Sequence, residues 1–244
     1  MPSQISRLLA LLLIQATACT LPCFAVQRTV PGFDPALVVL DAGEMMDGAS
    51  TVAEMGRAAE KLEDYALVFE TVTFKKNKDT IAEKGRLFFK KPKLMRLEEI
   101  GDYQKGSIVV IGKDGKARAR GGGLARFITL TMEPDDKQLN AANGDRMIDS
   151  DFISLAAGLQ KRLQMGQKTR VSKSPITTSG VSRPALLLEL YKPADQKNVL
   201  KRLWVDPKTY LPIRWDDFDY AMPCSSTWTE IKANPGLGDE VFRL

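Results

Sequence analysis

The chain has 244 residues, with 35 Lys and Arg against 30 Asp and Glu, and is 44% hydrophobic and 27% charged. That is the composition of a globular protein with a full core, and it excludes a disordered chain and a multi-pass membrane protein. Histidine is absent and cysteine occurs only at Cys19, Cys23 and Cys224, which removes Ser-His-Asp and Cys-His catalysis, His-ligated metals and a structural zinc site.

Residues 1–25 carry one positive charge at Arg7, no acid, a leucine-rich run from Leu8 to Ile14 and small residues after it, the pattern of an export signal. A bilayer crossing needs about 20 apolar residues, whereas this run is shorter and interrupted by Gln15. Cys23-Phe24-Ala25 resembles an A-x-A cleavage site, and Ala16-Thr17-Ala18-Cys19 loosely resembles a lipobox. Cleavage after Ala25 and a periplasmic location are the primary expectation, with a lipid anchor on Cys19 as the alternative. The predicted organisation is a signal peptide over residues 1–25, an N-terminal segment with a short helix over 26–48, and one domain over 49–244.

Asp34-Pro35 before an apolar run predicts that short helix, ended by Gly48. Thr51-x-x-Glu54 reads as a capping box, and Val52, Met55, Ala59 and Leu62 follow at helical spacing, so an amphipathic helix is predicted from about Ser50 to Glu63. From Tyr65 the pattern changes to short β-rich runs, YALVFETVTF, GRLFF, PKLMRLEEI, SIVVIG, KARAR and RFITLTM. They are separated by turn residues such as Lys76-Asn77-Lys78-Asp79, Pro92, Asp114-Gly115 and Gly121-Gly122-Gly123. Hairpins of an antiparallel meander follow from that spacing. A second helix, capped by Asp149 or Ser150 and stopped by Gly166, carries Phe152, Leu155, Ala156, Leu159 and Leu163 on one stripe. Strands resume in TRVSK, ALLLELY, VLKRLWVD, LPIRWDDF and STWTEIKA. The order predicts an α+β fold, a large antiparallel sheet with its helices gathered on one face. A sheet of that size must curl, and the concave side then encloses either a packed core or a pocket.

Gly121-Gly122-Gly123-Leu124-Ala125-Arg126 departs from G-x-G-x-x-G at its last position and reads as a turn, and no P-loop, nucleophile elbow or Ser-x-x-Lys occurs. Glu98 with Glu99, Asp135 with Asp136, and Asp216, Asp217 and Asp219 are the remaining acid/base candidates. Nothing in their spacing sets two carboxyls across a cleft, so solvated turn and strand-end acids are the simpler reading. No calcium loop is present. Cys224 between Pro223 and Ser225 reads as an ordinary loop or buried residue. Lys116, Arg118 and Arg120 share one strand face, and Lys90, Lys91, Lys93 and Arg96 form a second basic group. Without interleaved aromatics these are a solvated outer face or a contact for anionic lipid or an acidic partner; nucleic acid is not expected.

The run Gly85-Arg86-Leu87-Phe88-Phe89-Lys90-Lys91-Pro92-Lys93-Leu94-Met95-Arg96, a preceding helix ending in Leu62-Glu63-Asp64-Tyr65, and the turn Asp114-Gly115-Lys116 together resemble the LolA/LolB lipoprotein-carrier superfamily. The close from Ile231 to Phe242, with Asn234-Pro235-Gly236-Leu237-Gly238-Asp239, resembles the ending of many such chains. Lys105-Gly106, Asp151-Phe152, Val205-Asp206-Pro207 and Leu211-Pro212 resemble an uncharacterised exported LolA-like family. The resemblance implies an incomplete, strongly curved antiparallel β-barrel whose helices act as a lid over an apolar cavity for acyl chains. It also implies a lid-holding residue before the proline, where Lys91 stands in place of an arginine and lacks the guanidinium fork.

The expectation that follows is an exported, non-enzymatic protein binding a lipid or acylated ligand, with a membrane-associated partner and neither cofactor nor metal. Cavity candidates are Leu67, Phe69, Phe88, Phe152, Leu155, Leu159, Trp204, Trp215 and Trp228, with Lys91 and Arg96 for a head group or the lid. The alternatives are an envelope interaction or sensor scaffold with a packed interior, and a histidine-free hydrolase using Asp216, Asp217 or Asp219.

Overall fold

A computed structural model describes residues 29–37, 39–76, 79–219 and 222–244. The predicted signal peptide, Cys19 and Cys23, and the Asn77-Lys78 turn lie outside them. Among the described residues twelve strands and two α-helices follow in the order β1 (Met45–Asp47), α1 (Ala49–Glu60), β2 (Asp64–Phe74), β3 (Thr80–Lys90), β4 (Leu94–Glu99), β5 (Ile108–Ile111), β6 (Ala117–Arg120) and β7 (Thr129–Met132). Then come α2 (Phe152–Gln164), β8 (Lys168–Ser172), β9 (Leu186–Lys192), β10 (Asp195–Val205), β11 (Pro212–Asp217) and β12 (Cys224–Ala233). None of the described helices is long and apolar enough to cross a membrane.

All strands belong to one antiparallel sheet in the order β1-β8-β9-β10-β11-β12-β2-β3-β4-β5-β6-β7. Two meanders are thus joined where β12 pairs with β2, placing Trp228 opposite Phe69. The sheet curves without closing; β1 and β7 are its edges. This is the incomplete antiparallel barrel expected from the sequence.

Alternation along each strand assigns its two faces. Leu67 and Phe69 of β2, Leu87 and Phe89 of β3, Met95 and Leu97 of β4, and Val109 and Ile111 of β5 gather on the concave side with Leu139, Met147 and Phe152. A second cluster sets Val52 and Met55 of α1 and Leu159 of α2 against Val171, Leu188, Leu190, Leu203 and Val205. Both helices therefore cover the concave face, as the element order predicts. Gly56 allows them to approach closely, since a Cβ there would lie 2.7 Å from Gln160 Nε2.

The convex face of β9 to β11 is covered by the segment before β1. Arg202 Nη1 and Nη2 donate to the carbonyls of Asp34 and Leu37, and Arg214 Nη2 donates to that of Pro31. Both arginines are fully buried and paired with acids, Arg202 with Glu189 and Arg214 with Asp216. This corrects the short helix expected after Asp34-Pro35: the chain runs as turns into a single 3₁₀ turn at Ala42–Glu44 and the short strand β1. Its carbonyls bind distant guanidinium groups rather than helical amides, an arrangement that outcompetes local propensity.

Three local expectations also change. Gly48 starts α1 as its N-cap instead of ending a helix, and Glu54 pairs with Arg57, so no Thr51–Glu54 capping box forms. Asp151, not Asp149 or Ser150, caps α2, accepting from the amides of Ile153 and Ser154. In RFITLTM only Thr129–Met132 is strand, because a 3₁₀ turn occupies Gly123–Phe127.

Candidate functional site

Between the concave sheet and α2 lies a cavity of about 420 Å³, within the size range of ligand pockets. Its sheet wall comes from β2 to β5 and β10 to β12, its roof from α2 between Ser154 and Arg162, and one side from residues 138–150. Asp136 starts that side segment by capping the 3₁₀ turn at Lys137–Leu139 through the Gln138 amide.

The apolar lining is Phe69, Leu87, Leu97, Val109, Leu139, Met147, Leu155, Leu159, Trp215 and Trp228. Five sequence candidates, Phe69, Leu155, Leu159, Trp215 and Trp228, are thus brought together around one space. Leu67 and Phe152 are buried in the neighbouring core, where Phe152 stacks on Tyr65 and meets the edge of Trp228. Phe88 and Trp204 stand on the opposite face. Phe88 packs against Leu94, Val110 and Phe242, and Trp204 lies under Arg214 with its indole N–H donated to Thr178 Oγ1. Strand phase decides this, since each residue alternates with a concave neighbour.

Lys91 and Arg96 are not among the lining residues. Lys91 Nζ donates to the carbonyl of Glu60 at 2.6 Å and lies 3.1 Å from Glu63, so it holds the C-terminal end of α1. Arg96 donates to Glu98 and to the carbonyls of Val241 and Arg243, fastening the C-terminal segment. Lys93, two residues after Lys91, reaches Asp151 and Ser154 at the start of α2. The lysines on either side of Pro92 therefore tie one helix each to the β3–β4 turn.

Polar groups interrupt the apolar lining. Lys201 and Asp217 form a buried pair with the Lys201 ammonium 4.9 Å from the Trp215 ring centre. Arg162 pairs with Asp219, and Arg146 with Asp149. Cys224 is buried and accepts from Asn143 Nδ2 at 3.2 Å, and burial pushes its thiol up to about 12. Glu83 and Glu99 enter from β3 and β4, and burial raises both carboxyls, Glu99 to about 8 with the Glu83 charge adding to the effect.

Sequence reasoning considered Glu99 only as an acid/base candidate beside Glu98 and did not single out Glu83. A signal was present: Glu83, Gly85, Leu87 and Phe89 alternate in one phase, so the inward setting of Leu87 and Phe89 carries Glu83 with them. Of the hydrolase candidates, Asp216 stands apart, while the Asp219 amide donates to Asp217 and the Asp219 carboxylate is bound by Arg162. Asp216 faces the convex side, bound by Arg214 and Ser225, whereas Asp217 faces the cavity bound by Lys201. Among the described residues no group of three His, Cys, Asp or Glu side chains is placed to hold a metal. Lys116 and Arg118 are half-buried and paired with Glu133 and Asp114.

No family model and no curated protein matches the chain. Similar solved structures include a LolA superfamily protein from Nitrosomonas europaea (11% identity, 82% of this chain and 98% of that one, TM-score 0.44). Others are a DUF1329 family protein from Desulfovibrio piger (10%, 81% and 98%, 0.41) and the Mycobacterium tuberculosis lipoprotein LppX (9%, 78% and 96%, 0.46).

Proposed function

We propose that the chain is an exported, non-enzymatic binding protein that holds an alkyl or acyl chain between its concave sheet and α2. The observation that carries this reading is the 420 Å³ cavity walled by Phe69, Leu87, Leu97, Val109, Leu155 and Trp228. A water's share of liquid volume is about 30 Å³, so the space suits on the order of a dozen methylene-sized groups, one chain rather than several. Each buried methylene contributes about 0.8 kcal/mol. The resemblance of the Gly85 to Arg96 motif to the carriers supports the same reading, and the Arg7 to Ile14 segment supports export. The opposite facing of Asp216 and Asp217 argues against a hydrolase built on them.

The test is solvent extraction and mass spectrometry on protein purified from its envelope fraction, with the mature N-terminus read alongside. A stoichiometric acyl or alkyl compound, lost in a folded Leu155→Asp variant, is the expected result. A folded protein with nothing bound, and no uptake of added fatty acid or fatty amine, contradicts it. A second reading, an interaction scaffold, is favoured by Leu124 (81% exposed) and Phe127 (76% exposed), which stand beside the β7 edge. It predicts a copurifying envelope protein released by Leu124→Ser with Phe127→Ser, and an interior that takes up no ligand.

A further inference from the structure

The chain as a whole is basic, at +5, but its cavity is not. Five carboxylates line it, Glu83, Glu99, Asp145, Asp149 and Asp217, against three cations, Arg146, Arg162 and Lys201. Each cation already has an acid: Arg146 has Asp149, Arg162 has Asp219, and Lys201 has Asp217. Before a ligand enters, burial holds a proton on Glu99 at pH 7, so four carboxylates face three cations, and the carboxyl pair on the wall formed by β3 and β4 has no cation among the lining residues already bound to it.

On that wall Glu99 pairs with Gly85 in the β3–β4 register, and Glu83 lies two residues further along β3. The two are diagonal neighbours on one face, a spacing of about 7–8 Å between backbones. The Phe69 ring packs directly over Gly85, where a Cβ would stand 2.5 Å from both the ring and the Glu98 carbonyl, so the apolar lining reaches the strand position opposite Glu99. Glu83 accepts at both oxygens from the Ala142 amide, at 3.1 and 3.3 Å. Glu99 is only 7% exposed, and its Oε2 is buried with no hydrogen-bond partner in the protein. An ammonium brought to this oxygen would meet a carboxyl with no other partner there, the carboxyl proton passing to solvent as the charged pair forms. Directly beside it on the same face stand Leu97, Val109, Leu87 and Phe69, an apolar track that begins at the carboxyl pair.

We propose that the Glu83–Glu99 wall receives the ammonium group of an amine-bearing amphiphile, with its alkyl chain lying along Leu97, Val109, Leu87 and Phe69 toward Trp228. This deepens the reading above and rests on it. A carboxylate or phosphate head group meets repulsion at the same wall, and a hydroxyl supplies one neutral donor where an ammonium supplies three charged ones. The head group is thus the specificity element, and the alkyl chain supplies most of the affinity.

The experiment is calorimetric titration of the signal-free protein at pH 7 with decylamine, 1-decanol and decanoate, each below its micellar concentration. It is repeated with Glu99→Gln and with Glu83→Gln plus Glu99→Gln. The expected result is decylamine binding tighter than decanol by about tenfold or more, the scale of a charged hydrogen bond. Decanoate binds weakest, Glu99→Gln narrows the gap between decylamine and decanol, and the double variant abolishes it, the two ligands being compared within each variant. Thermal melts of the variants show that they fold, and Glu133→Gln, a carboxylate outside the cavity, leaves all three affinities as they were. Equal binding of amine and alcohol, or tightest binding of decanoate, overturns the amine assignment and leaves the cavity reading standing. No binding of any of the three overturns both.

Discussion

Lys93 Nζ lies 2.5 Å from Oδ2 of Asp151, while Oδ1 of the same carboxylate accepts the first amides of α2. The roof of the cavity is therefore fixed to the β3–β4 turn through one buried carboxylate that caps a helix and neutralises a lysine. Asp151 is 1% exposed, so water does not reach the helix amides it caps, whereas Lys93 is about a third exposed and stays solvated.

Asp151→Ala loses the cap, typically about 1 kcal/mol and up to about 2, and leaves Lys93 and the Ser154 hydroxyl without their acceptor. Urea unfolding is expected to show a loss of about 2–3 kcal/mol. Asp151→Asn, which keeps an acceptor for the amides, is expected to lose less. Equal stability of Asp151→Ala and the parent contradicts the anchoring role.

Gly85→Ala places a methyl group 2.5 Å from the Glu98 carbonyl and the Phe69 ring. Overpacking of this kind costs about 1–3 kcal/mol, and the ring is displaced into the cavity. The expected outcome is a lowered unfolding midpoint together with lost decanol binding. A substitution without effect on either means that the cavity does not depend on this gap.

Stability is expected to depend on pH through Glu99. Burial and the neighbouring Glu83 charge raise its carboxyl from 4.5 to about 8 in the fold. Between those values the unfolded chain has lost a proton that the folded chain keeps. The contribution is present below about pH 4.5 and is lost as pH rises through about 8. Glu83 acts in the same direction, and the groups nearest the pair are Asp145 and Tyr103. Unfolding of Glu99→Gln is expected to show a smaller decline of stability between pH 5 and pH 8 than the parent. An unchanged slope means that Glu99 ionises in the folded protein as it does in water.

Cys224 is 2% exposed and its thiol is held protonated by burial. Thiol reactivity follows the thiolate. Labelling at pH 8 is expected to be slow in the folded protein and to reach one equivalent only with denaturant. Rapid labelling of the native signal-free protein contradicts the placement of this side chain behind Asn143.

The strands were legible because Val, Ile, Phe and Leu alternate with polar residues in runs bounded by Gly, Pro and Asp. Runs such as YALVFETVTF declare their own ends and faces. The stretch from Pro31 to Leu37 was not legible, because its carbonyls bind Arg202 and Arg214, more than 160 positions away, and no local pattern records a partner at that distance. The sites of Phe88 and Trp204 had the same origin: aromatic character marks burial, but only strand phase chooses the face. Glu83 and Glu99 were the reverse case. Their charge reads as exposure, and the inward phase set by Leu87, Phe89 and Leu97 overrides it.

The three tryptophans report where an alkyl chain sits, since Trp215 and Trp228 line the cavity and Trp204 lies on the opposite face. Variants keeping one tryptophan each, with phenylalanine at the other two positions, are titrated with a decylamine brominated along its chain, which quenches indole fluorescence on contact. Saturable quenching of Trp228 and Trp215, and none of Trp204, is the expected result. Quenching confined to Trp204, or equal and unsaturable at all three, contradicts an alkyl chain held between the concave sheet and α2.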